Sequence, residues 1–388
     1  MTDWTTKTGT ELVAAIRSME VSSIAVLDAL LERIKRLDKE HVNAVVLLYE
    51  ESARARAKEA DEALAKGNVW GALHGVPMTI KECNIWANTQ MTNGVPSALD
   101  GIDSTEGGYN EPFVQRLLDA GAIIFGKTNL PKHLADWQSF NDIYGQTNNP
   151  FDLSKTPGGS SGGGSAAVAA CFTPLEVGSD IGGSIRIPAS FCGIFGHKPT
   201  YGAIDRIGVN SRSGLQNLKL AKLMPATDIS VRGPLARSAD DLRLLMEVTA
   251  GSAVDLPRPQ KTKLTQFKVA LISSLEQCPV SMETRAAVTT LAQKLEAAGT
   301  TVAMDDAVAL PFDPDEMMQT YLQLVICASG AGEPATTGCD ALGMDGATVQ
   351  RLMREYAAKF NDDDNSFEAI AGVLPEEEVT AVRDEDSD

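Results

Sequence analysis

The sequence predicts an α/β protein whose large mixed, mostly parallel twisted sheet is covered by helices on both faces. Short apolar runs typical of strands alternate with amphipathic helical segments over most of the chain. Hydrophobic residues make up 43% and charged residues 22% of the 388 positions, as in ordinary globular proteins. No apolar run reaches the roughly 18 residues that span a bilayer, and the N-terminus lacks signal-peptide character. We therefore expect a cytoplasmic protein with no membrane span.

The N-terminal half supplies the first alternating elements. A short helix is predicted near 10–18, and Ser22 is a candidate N-cap for a longer helix with one apolar stripe. The stripe consists of Leu27, Leu30, Leu31, Ile34 and Leu37. The elements predicted after it are a buried strand at 43–48, a helix at 50–66, a strand at 76–82, a helix at 111–120 and a strand at 122–126.

The C-terminal half returns to the same alternation and ends in an acidic run. Ser238 is predicted to cap a helix, and a helix at 281–298 lies between strands at 268–272 and 300–304. Residues 361–388 contain eleven Asp or Glu against one Arg. Such a segment cannot bury enough apolar surface to fold, which predicts a solvated or disordered tail, with a docking segment as the alternative.

Charge and ligand-type residues argue against several classes of protein. The net charge of -18 disfavours nucleic acid and anionic membranes as partners, because phosphates attract basic surfaces. The six cysteines form no CxxC pair, and the four histidines show no metal-ligand spacing. We therefore expect buried free thiols, no metal and no cofactor.

A glycine-rich stretch interrupts the alternation in the middle of the chain. Five of the seven residues at 158–164 are glycine, and a second cluster lies at 182–183. A flexible linker is the alternative interpretation, but the apolar segments SAAVAACF and ASFCGIF lie within the stretch. Since linkers do not alternate with core-forming segments, the stretch predicts ordered, tight loops to whose backbone another group comes close.

Two phosphate-binding patterns in the chain fit poorly. Residues 121–128 read GAIIFGKT, but the interior of this nominal phosphate loop is a predicted strand. Gly162, Gly164 and Ala167 match a dinucleotide pattern without the strand that should come directly before it. Neither pattern predicts a nucleotide site.

A third pattern concerns a serine nucleophile. Gly159, Ser161 and Gly163 match the GxSxG elbow of α/β hydrolases, which also need a later histidine. The only later histidine is His197, whose GHKPT context is typical of a turn and of a structural role. A serine nucleophile here needs another proton acceptor, and a lysine buried among small apolar groups is the available one.

Several long motifs resemble the amidase signature family of serine hydrolases, and among them the free-standing amidases. They include HGVPMTIKE, PGGSSGGGS, DWQSFNDIYGQTNNPFD and GSDIGGSIRIPASFCGIFGHKPT, and the resemblance runs from about residue 8 to about residue 330. It implies the amidase signature fold, one catalytic domain over residues 1–360, and a hydrolase acting on linear amide C–N bonds. Relatives of this kind continue further, so the C-terminal part looks short and the sheet incompletely covered.

Carried over position by position, the resemblance implies a Ser184 nucleophile, a bridging Ser160 in a cis peptide and a Lys81 base. In the implied mechanism, Lys81 and Ser160 relay the proton of Ser184, which forms an acyl-enzyme. The supporting positions are the oxyanion-hole N–H groups of Ile181, Gly182, Gly183 and Ser184, and the bracing residues Ser161, Asp180 and Arg186.

Two alternatives stay open at this point. A glutamyl-tRNA amidotransferase-type subunit is disfavoured by the negative charge and by the segment DWQSFNDIYGQTNN. A truncated, weakly active or non-catalytic remnant of the family is the other, and it would be marginally stable. The expected partner is a small-molecule amide whose acyl and amine groups the sequence does not identify, and a homodimer is among the assemblies left open.

Overall fold

The structure is a computed structural model that describes residues 2–96, 109–204, 229–250, 263–274, 280–304, 308, 312–317 and 320–321. The described residues fall into two compact units, one with those up to 250 and one with those from 263 onward. The predicted acidic tail at 361–388 and the end of the predicted domain at 360 lie outside the described residues. The domain over 1–360 therefore stays a prediction.

A six-stranded mixed sheet forms the centre of the first unit, and a small hairpin lies apart from it. The strands are β1 (Val45–Leu48), β2 (Pro77–Lys81), β3 (Ile123–Thr128), β4 (Phe140–Asn141), β5 (Gly145–Gln146), β6 (Leu175–Asp180), β7 (Phe195–Gly196) and β8 (Val231–Ala236). In the sheet the order is β1, β3, β2, β6, β8, β7, and β4 pairs with β5 in the hairpin.

Parallel pairing is confined to the centre of this sheet. Strand β2 pairs in parallel with β3 and β6, whereas β1 with β3, β6 with β8 and β7 with β8 are antiparallel. The predicted mixed α/β class is confirmed, with a larger antiparallel share than the alternation indicated. Strand β8 has the sequence VRGPLA and was not predicted, because glycine and proline are unusual inside a strand.

Strand β1 differs from its prediction in burial. The prediction was a buried strand, but within it Val45 alone is buried and the next three residues are half-buried. The reason is that β1 is an edge strand, with a neighbour on one side only. An edge position leaves one flank of a strand open to solvent.

Helices cover both faces of the sheet. They are α1 (Gly9–Arg17), α2 (Ser23–Leu37), α3 (Glu50–Ala65), α4 (Pro112–Asp119), α5 (Gly162–Ala169), α6 (Arg186–Phe191) and α7 (Ala239–Thr249). Gly9 of α1 lies against the side chain of Leu175, and Gly164 of α5 lies against that of Glu176. Successive strand residues point to opposite faces, so α1 and α5 cover opposite sides.

The predicted helix caps are confirmed. The side chains of Ser22 and Ser238 accept hydrogen bonds from the backbone N–H groups three residues further on, at the starts of α2 and α7. The capping of α1 adds a reciprocal pair, in which Thr8 and Glu11 each accept a bond from the backbone of the other.

The glycine-rich stretch is ordered, but the prediction that it consists of loops is wrong. It contains α5, β6 and the short helix α6. Glycine is a poor helix former, so local propensity predicts no helix at GGGSAAVA. Packing overrides propensity here, because a side chain on Gly163 would overlap the backbone of Asn129 at the end of β3. The glycines let α5 lie directly against the sheet.

The second unit contains β9 (Lys268–Leu271), α8 (Met282–Ala297) and β10 (Thr301–Met304). Strands β9 and β10 pair in parallel, and Ser281 caps α8 by accepting a bond from Thr284 N–H. The predicted strand, helix and strand are confirmed in this unit. In neither unit is a described helix long and apolar enough to cross a membrane.

Candidate active site

Lys81 is the last residue of β2, and its side chain is fully buried. Its Nζ lies 2.7 Å from Ser160 Oγ, 3.0 Å from Ser161 Oγ and 3.0 Å from Ser179 Oγ. Burial lowers the pKa of Lys81 from 10.5 to about 8, because the charged amine has lost its water. The structure thus brings two predicted site residues, Ser160 and Ser161, to the buried amine of a third, Lys81.

The other bonds of these serines restrict how each can meet the lysine. Ser161 Oγ donates to the backbone carbonyl of Ser179 at 3.2 Å, so its hydroxyl proton is already engaged. Lys81 must therefore donate to Ser161. A neutral amine has two N–H groups and one lone pair, so one neighbouring hydroxyl can donate to it. Ser160, whose Oγ is the nearest and donates to no other described group, is the best placed to do so.

Ser160 and Ser184 lie on neighbouring loops that a backbone bond connects. The peptide between Gly159 and Ser160 is cis, as predicted. The N–H of Ser161 donates to the carbonyl of Ser184 at 3.1 Å, and the Ser184 side chain is buried. Among the described residues the Ser184 hydroxyl has no hydrogen-bond partner, so the contact with Ser160 that the implied proton relay requires is not formed here.

The loop after β6 is held by Asp180, whose side chain is buried at the end of that strand. Its carboxylate accepts bonds from the N–H groups of Gly183 and Ile185 and from the guanidinium of Arg186. Burial acts to raise the pKa of Asp180, but the bonds from Arg186, Ile185 and Gly183 hold it below its usual value. Asp180 therefore stays ionised and fixes the loop that carries Ser184.

The four predicted oxyanion donors differ in whether they are engaged. The N–H of Gly183 donates to Asp180 Oδ1 at 2.9 Å, and Gly183 has a φ of +105°, which strongly favours glycine. The N–H groups of Ile181, Gly182 and Ser184 donate to no other described residue. Three unengaged N–H groups on one glycine-containing turn can receive a negatively charged oxygen.

Three residues near this cluster were missed by the sequence reasoning. Ser179 contacts Lys81, Trp137 donates its indole N–H to the carbonyl of Gly182, and Glu176 is buried on β6 beside the hydroxyls of Thr79 and Thr128. Burial raises the pKa of Glu176 to about 8. The signal for Glu176 is its position within the apolar run PLEV, since a carboxyl in a buried strand needs a partner.

The rejected motifs occupy structural positions. Residues 123–128 of GAIIFGKT form β3. Lys127 within it donates to the backbone carbonyls of Glu82, Asn84 and Gln90 and does not line a phosphate-binding loop. His197 is exposed after β7 and bonds through its backbone N–H to Pro234. The predicted strand is confirmed, and the histidine makes a structural backbone contact.

The described part of the chain contains no group of three or more His, Cys, Asp or Glu side chains placed to hold a metal ion. Cys83 and Cys192 are buried free thiols, and Cys171 is a half-buried one.

Comparison with known proteins identifies the family. The family model described as Amidase matches residues 25–360. The chain belongs to the amidase family. Two curated relatives in that family are glutamyl-tRNA(Gln) amidotransferase subunits A. The protein from Chromohalobacter salexigens is 40% identical over 248 residues, which are 64% of this chain and 47% of that protein. The protein from Prochlorococcus marinus is 34% identical over 298 residues, which are 73% of this chain and 57% of that protein. The chain thus spans about half the length of these relatives.

Solved structures of amidase-family proteins share the fold. Fatty acid amide hydrolase is 28% identical with a TM-score of 0.72, over 92% of this chain and 66% of that one. A protein described as an amidase is 26% identical with a TM-score of 0.65, over 98% and 77%. The 6-aminohexanoate cyclic dimer hydrolase is 23% identical with a TM-score of 0.70, over 99% of this chain and 75% of that one. At this identity the similarity supports the fold alone.

Proposed function

We propose that this amidase-family chain hydrolyses a linear amide C–N bond of a small molecule through an acyl-enzyme on Ser184. The observation that carries the proposal is the fully buried Lys81, whose amine lies 2.7 Å from Ser160 Oγ. A buried amine with a lowered pKa and a hydroxyl neighbour has the features of a general base. The similarity to fatty acid amide hydrolase supports the same class of bond.

The first half of the reaction forms the acyl-enzyme. Neutral Lys81 takes the hydroxyl proton of Ser160, while Ser160 takes that of Ser184. Ser184 Oγ forms a bond to the amide carbonyl carbon, and the carbonyl oxygen becomes an oxyanion. The N–H groups of Ile181, Gly182 and Ser184, which bond to no other described residue, are the proposed donors to that oxygen. The proposed hole therefore omits Gly183, whose N–H serves Asp180.

The second half releases both products. The C–N bond breaks, and the proton on Lys81 passes through Ser160 to the leaving nitrogen. Water then gives one proton to the same relay and attacks the acyl carbon. The bond from that carbon to Ser184 Oγ breaks, the proton on Lys81 returns through Ser160 to Ser184 Oγ, and the acid product leaves as its carboxylate. The relay needs the Ser184 hydroxyl to turn toward Ser160, and hydrogen bonds of this kind often tighten only when substrate binds.

The burial of Lys81 supplies the base at neutral pH. With its pKa at about 8, roughly a tenth of the amine is neutral at pH 7, against less than a thousandth at the ordinary value of 10.5. The fixed carboxylate of Asp180 holds the nucleophile loop, so the proposed role of Asp180 and Arg186 is to support that loop. Ser161 and Ser179 hold the amine by accepting its N–H bonds.

The proposal is tested with wild-type protein and Ser184→Ala on a panel of simple aliphatic and aryl amides. We expect ammonia or amine release by the wild type and its loss in the variant. Added hydroxylamine should divert part of the product to a hydroxamate. Among amides that share one acyl group, the ratio of hydroxamate to carboxylic acid should not depend on the leaving amine, because one common acyl-enzyme precedes both products. Turnover that persists in Ser184→Ala would overturn the assignment, and a ratio that varies with the amine would exclude the acyl-enzyme.

A second candidate is the glutaminase half of an amidotransferase, because the relatives named above are glutamyl-tRNA(Gln) amidotransferase subunits A. The same cluster would then release ammonia from glutamine and transfer it in a complex with other subunits. Because this chain has a net charge of -18, a positively charged partner subunit would have to bind the tRNA. Ammonia release from glutamine, with none from the other amides of the panel, would favour this candidate.

A further inference from the structure

Trp137 lies at the edge of the candidate site with its ring exposed and its N–H engaged. The residue is 61% exposed, yet its Nε1 donates to the carbonyl oxygen of Gly182 at 3.1 Å. An indole has one N–H donor and no acceptor. The side chain is therefore held by a hydrogen bond to one specific carbonyl on the loop that precedes Ser184.

That carbonyl belongs to a peptide unit that is held from its other end as well. The Gly182 carbonyl and the Gly183 N–H share one planar peptide. The N–H donates to Asp180 Oδ1 at 2.9 Å, so Trp137 and Asp180 hold the two ends of the same plane. The N–H groups of Gly182 and Ser184, which donate to no other described residue, belong to the peptide units directly before and after this one in the chain. A turn of this plane therefore changes the backbone dihedral angles that orient the two neighbouring N–H groups.

The segment that carries Trp137 is also fixed to the loop of Ser160. Ser139 Oγ donates to the carbonyl of Gly158 at 3.2 Å and accepts from the N–H of Gly162 at 3.1 Å. A side chain on Gly159 would overlap the backbone of residues 136 and 138. Residues 136–139 thus connect the loop that carries Ser160 to the loop that carries Ser184.

We propose that Trp137 is a positioning residue that sets the orientation of the Gly182–Gly183 peptide and, through it, the oxyanion donors. The inference rests on the proposed function of Ser184. Without the indole N–H, the carbonyl of Gly182 loses the partner that opposes Asp180, and the peptide plane can turn. Misplacement of a catalytic group by about 1 Å can cost 10²-fold in rate, so the loss falls on acylation more than on binding.

The test replaces the donor and keeps an aromatic ring. In Trp137→Phe we expect kcat for an amide, and the rate of fluorophosphonate labelling of Ser184, to fall by about 10- to 100-fold. KM should stay within about twofold, because no substrate contact is removed. The melting temperature and the pH at which activity rises should stay unchanged, since the ring is exposed and Lys81 is untouched. Phe151→Leu, at a residue 74% exposed, is the matched control and should behave as wild type.

A second variant guards against a structural effect of the smaller ring. Incorporation of 3-benzothienylalanine at 137 replaces the N–H by sulfur and retains the shape of the indole. It should show the same loss in kcat as Trp137→Phe. Combination of Trp137→Phe with Asp180→Asn should give less than the sum of the two losses in ΔG‡, because both act on one peptide.

The outcomes separate the inference from the function on which it rests. Unchanged kcat in an active Trp137→Phe enzyme would overturn the inference alone. A raised KM with unchanged kcat would also overturn it, since Trp137 would then contact the substrate. A wild-type protein without turnover and without label on Ser184 would overturn the proposed function and the inference with it.

Discussion

Lys81 and Lys127 lie on adjacent parallel strands, and they differ in the partners of the amine. Both side chains are fully buried, and burial lowers the pKa of each to about 8. The amine of Lys81 is within hydrogen-bond distance of three serine hydroxyls, whereas that of Lys127 donates to three backbone carbonyls. A hydroxyl both donates and accepts hydrogen bonds, whereas a carbonyl only accepts them.

The comparison shows that burial alone does not make a lysine a base. The three carbonyls around Lys127 match the three N–H groups of a charged amine, so this lysine holds the backbone segment after β2. The surroundings of Lys81 can supply a proton to a neutral amine through Ser160. The chemistry of the partners therefore separates a proposed catalytic lysine from a structural one.

The largest expected effect breaks the comparison at Lys81. Lys81→Met removes the proposed base and keeps the volume of the side chain. We expect amide turnover to fall by about 10⁴-fold or more, as for loss of a catalytic-triad member. The melting temperature should not fall, because an amine no longer has to be buried. Steady-state kinetics and a thermal melt on one preparation check both. A variant with a tenth of wild-type activity would show that Lys81 is not the base.

Lys127→Met tests the other side of the comparison. It leaves the buried carbonyls of Glu82 and Asn84 and the part-buried one of Gln90 without this donor, at about 1–3 kcal/mol for each group left buried and unsatisfied. We expect the free energy of unfolding in urea to fall by several kcal/mol. Turnover at a temperature where the variant is folded should stay within about tenfold of wild type. Loss of turnover with unchanged stability would instead place Lys127 in the chemistry.

The pH dependence of turnover sharpens the comparison further. A base works when neutral, so kcat/KM should rise about tenfold from pH 7 to pH 9, with an apparent pKa of about 8 from Lys81. Both lysines act alike on stability. Their pKa values in the fold lie below 10.5, so the unfolded chain binds more protons between pH 8 and 10.5 and stability rises across that window. A flat rate profile over pH 7–9 would contradict the role of Lys81.

The smallest expected effect concerns Ser179, which holds the amine without relaying a proton. Ser179→Ala removes one acceptor from Lys81. Acceptors stabilise the charged amine more than the neutral one, so the rise in kcat/KM should move to lower pH. The plateau rate should fall by about two- to tenfold, in line with the roughly 1 kcal/mol of one hydrogen bond. A shift to higher pH would contradict this account.

The sequence predicted the elements whose own patterns decide their structure. Ser22, Ser238 and the strand at GAIIFG were found because caps and apolar runs are local signals. The helix α5 and the strand β8 were not found. Glycines in α5 allow close contact with Asn129, and Pro234 interrupts the apolar pattern of β8 but not the strand, so their structure depends on neighbours distant in sequence.

The candidate site shows the same division. The resemblance indicated Lys81, Ser160 and Ser184, and the structure brings the first two into contact while leaving the Ser184 hydroxyl without a described partner. Trp137 and Ser179 carry no signal in a single sequence, because a tryptophan in a loop and a serine in a strand are ordinary residues. The contact of Trp137 with Gly182 emerges only from the packing of two loops, and that of Ser179 with Lys81 only from the pairing of β6 with β2.

The most direct test of the central claim is the rate at which a fluorophosphonate labels Ser184. The claim is that a buried lysine activates this serine, so the label should map to Ser184 by intact mass and peptide mapping in wild type and in Lys127→Met. In Lys81→Met the labelling rate should fall by about 10³-fold or more, as expected for a serine that has lost its base. Equal labelling of Ser184 in wild type and Lys81→Met, or a label on another residue, would contradict the account.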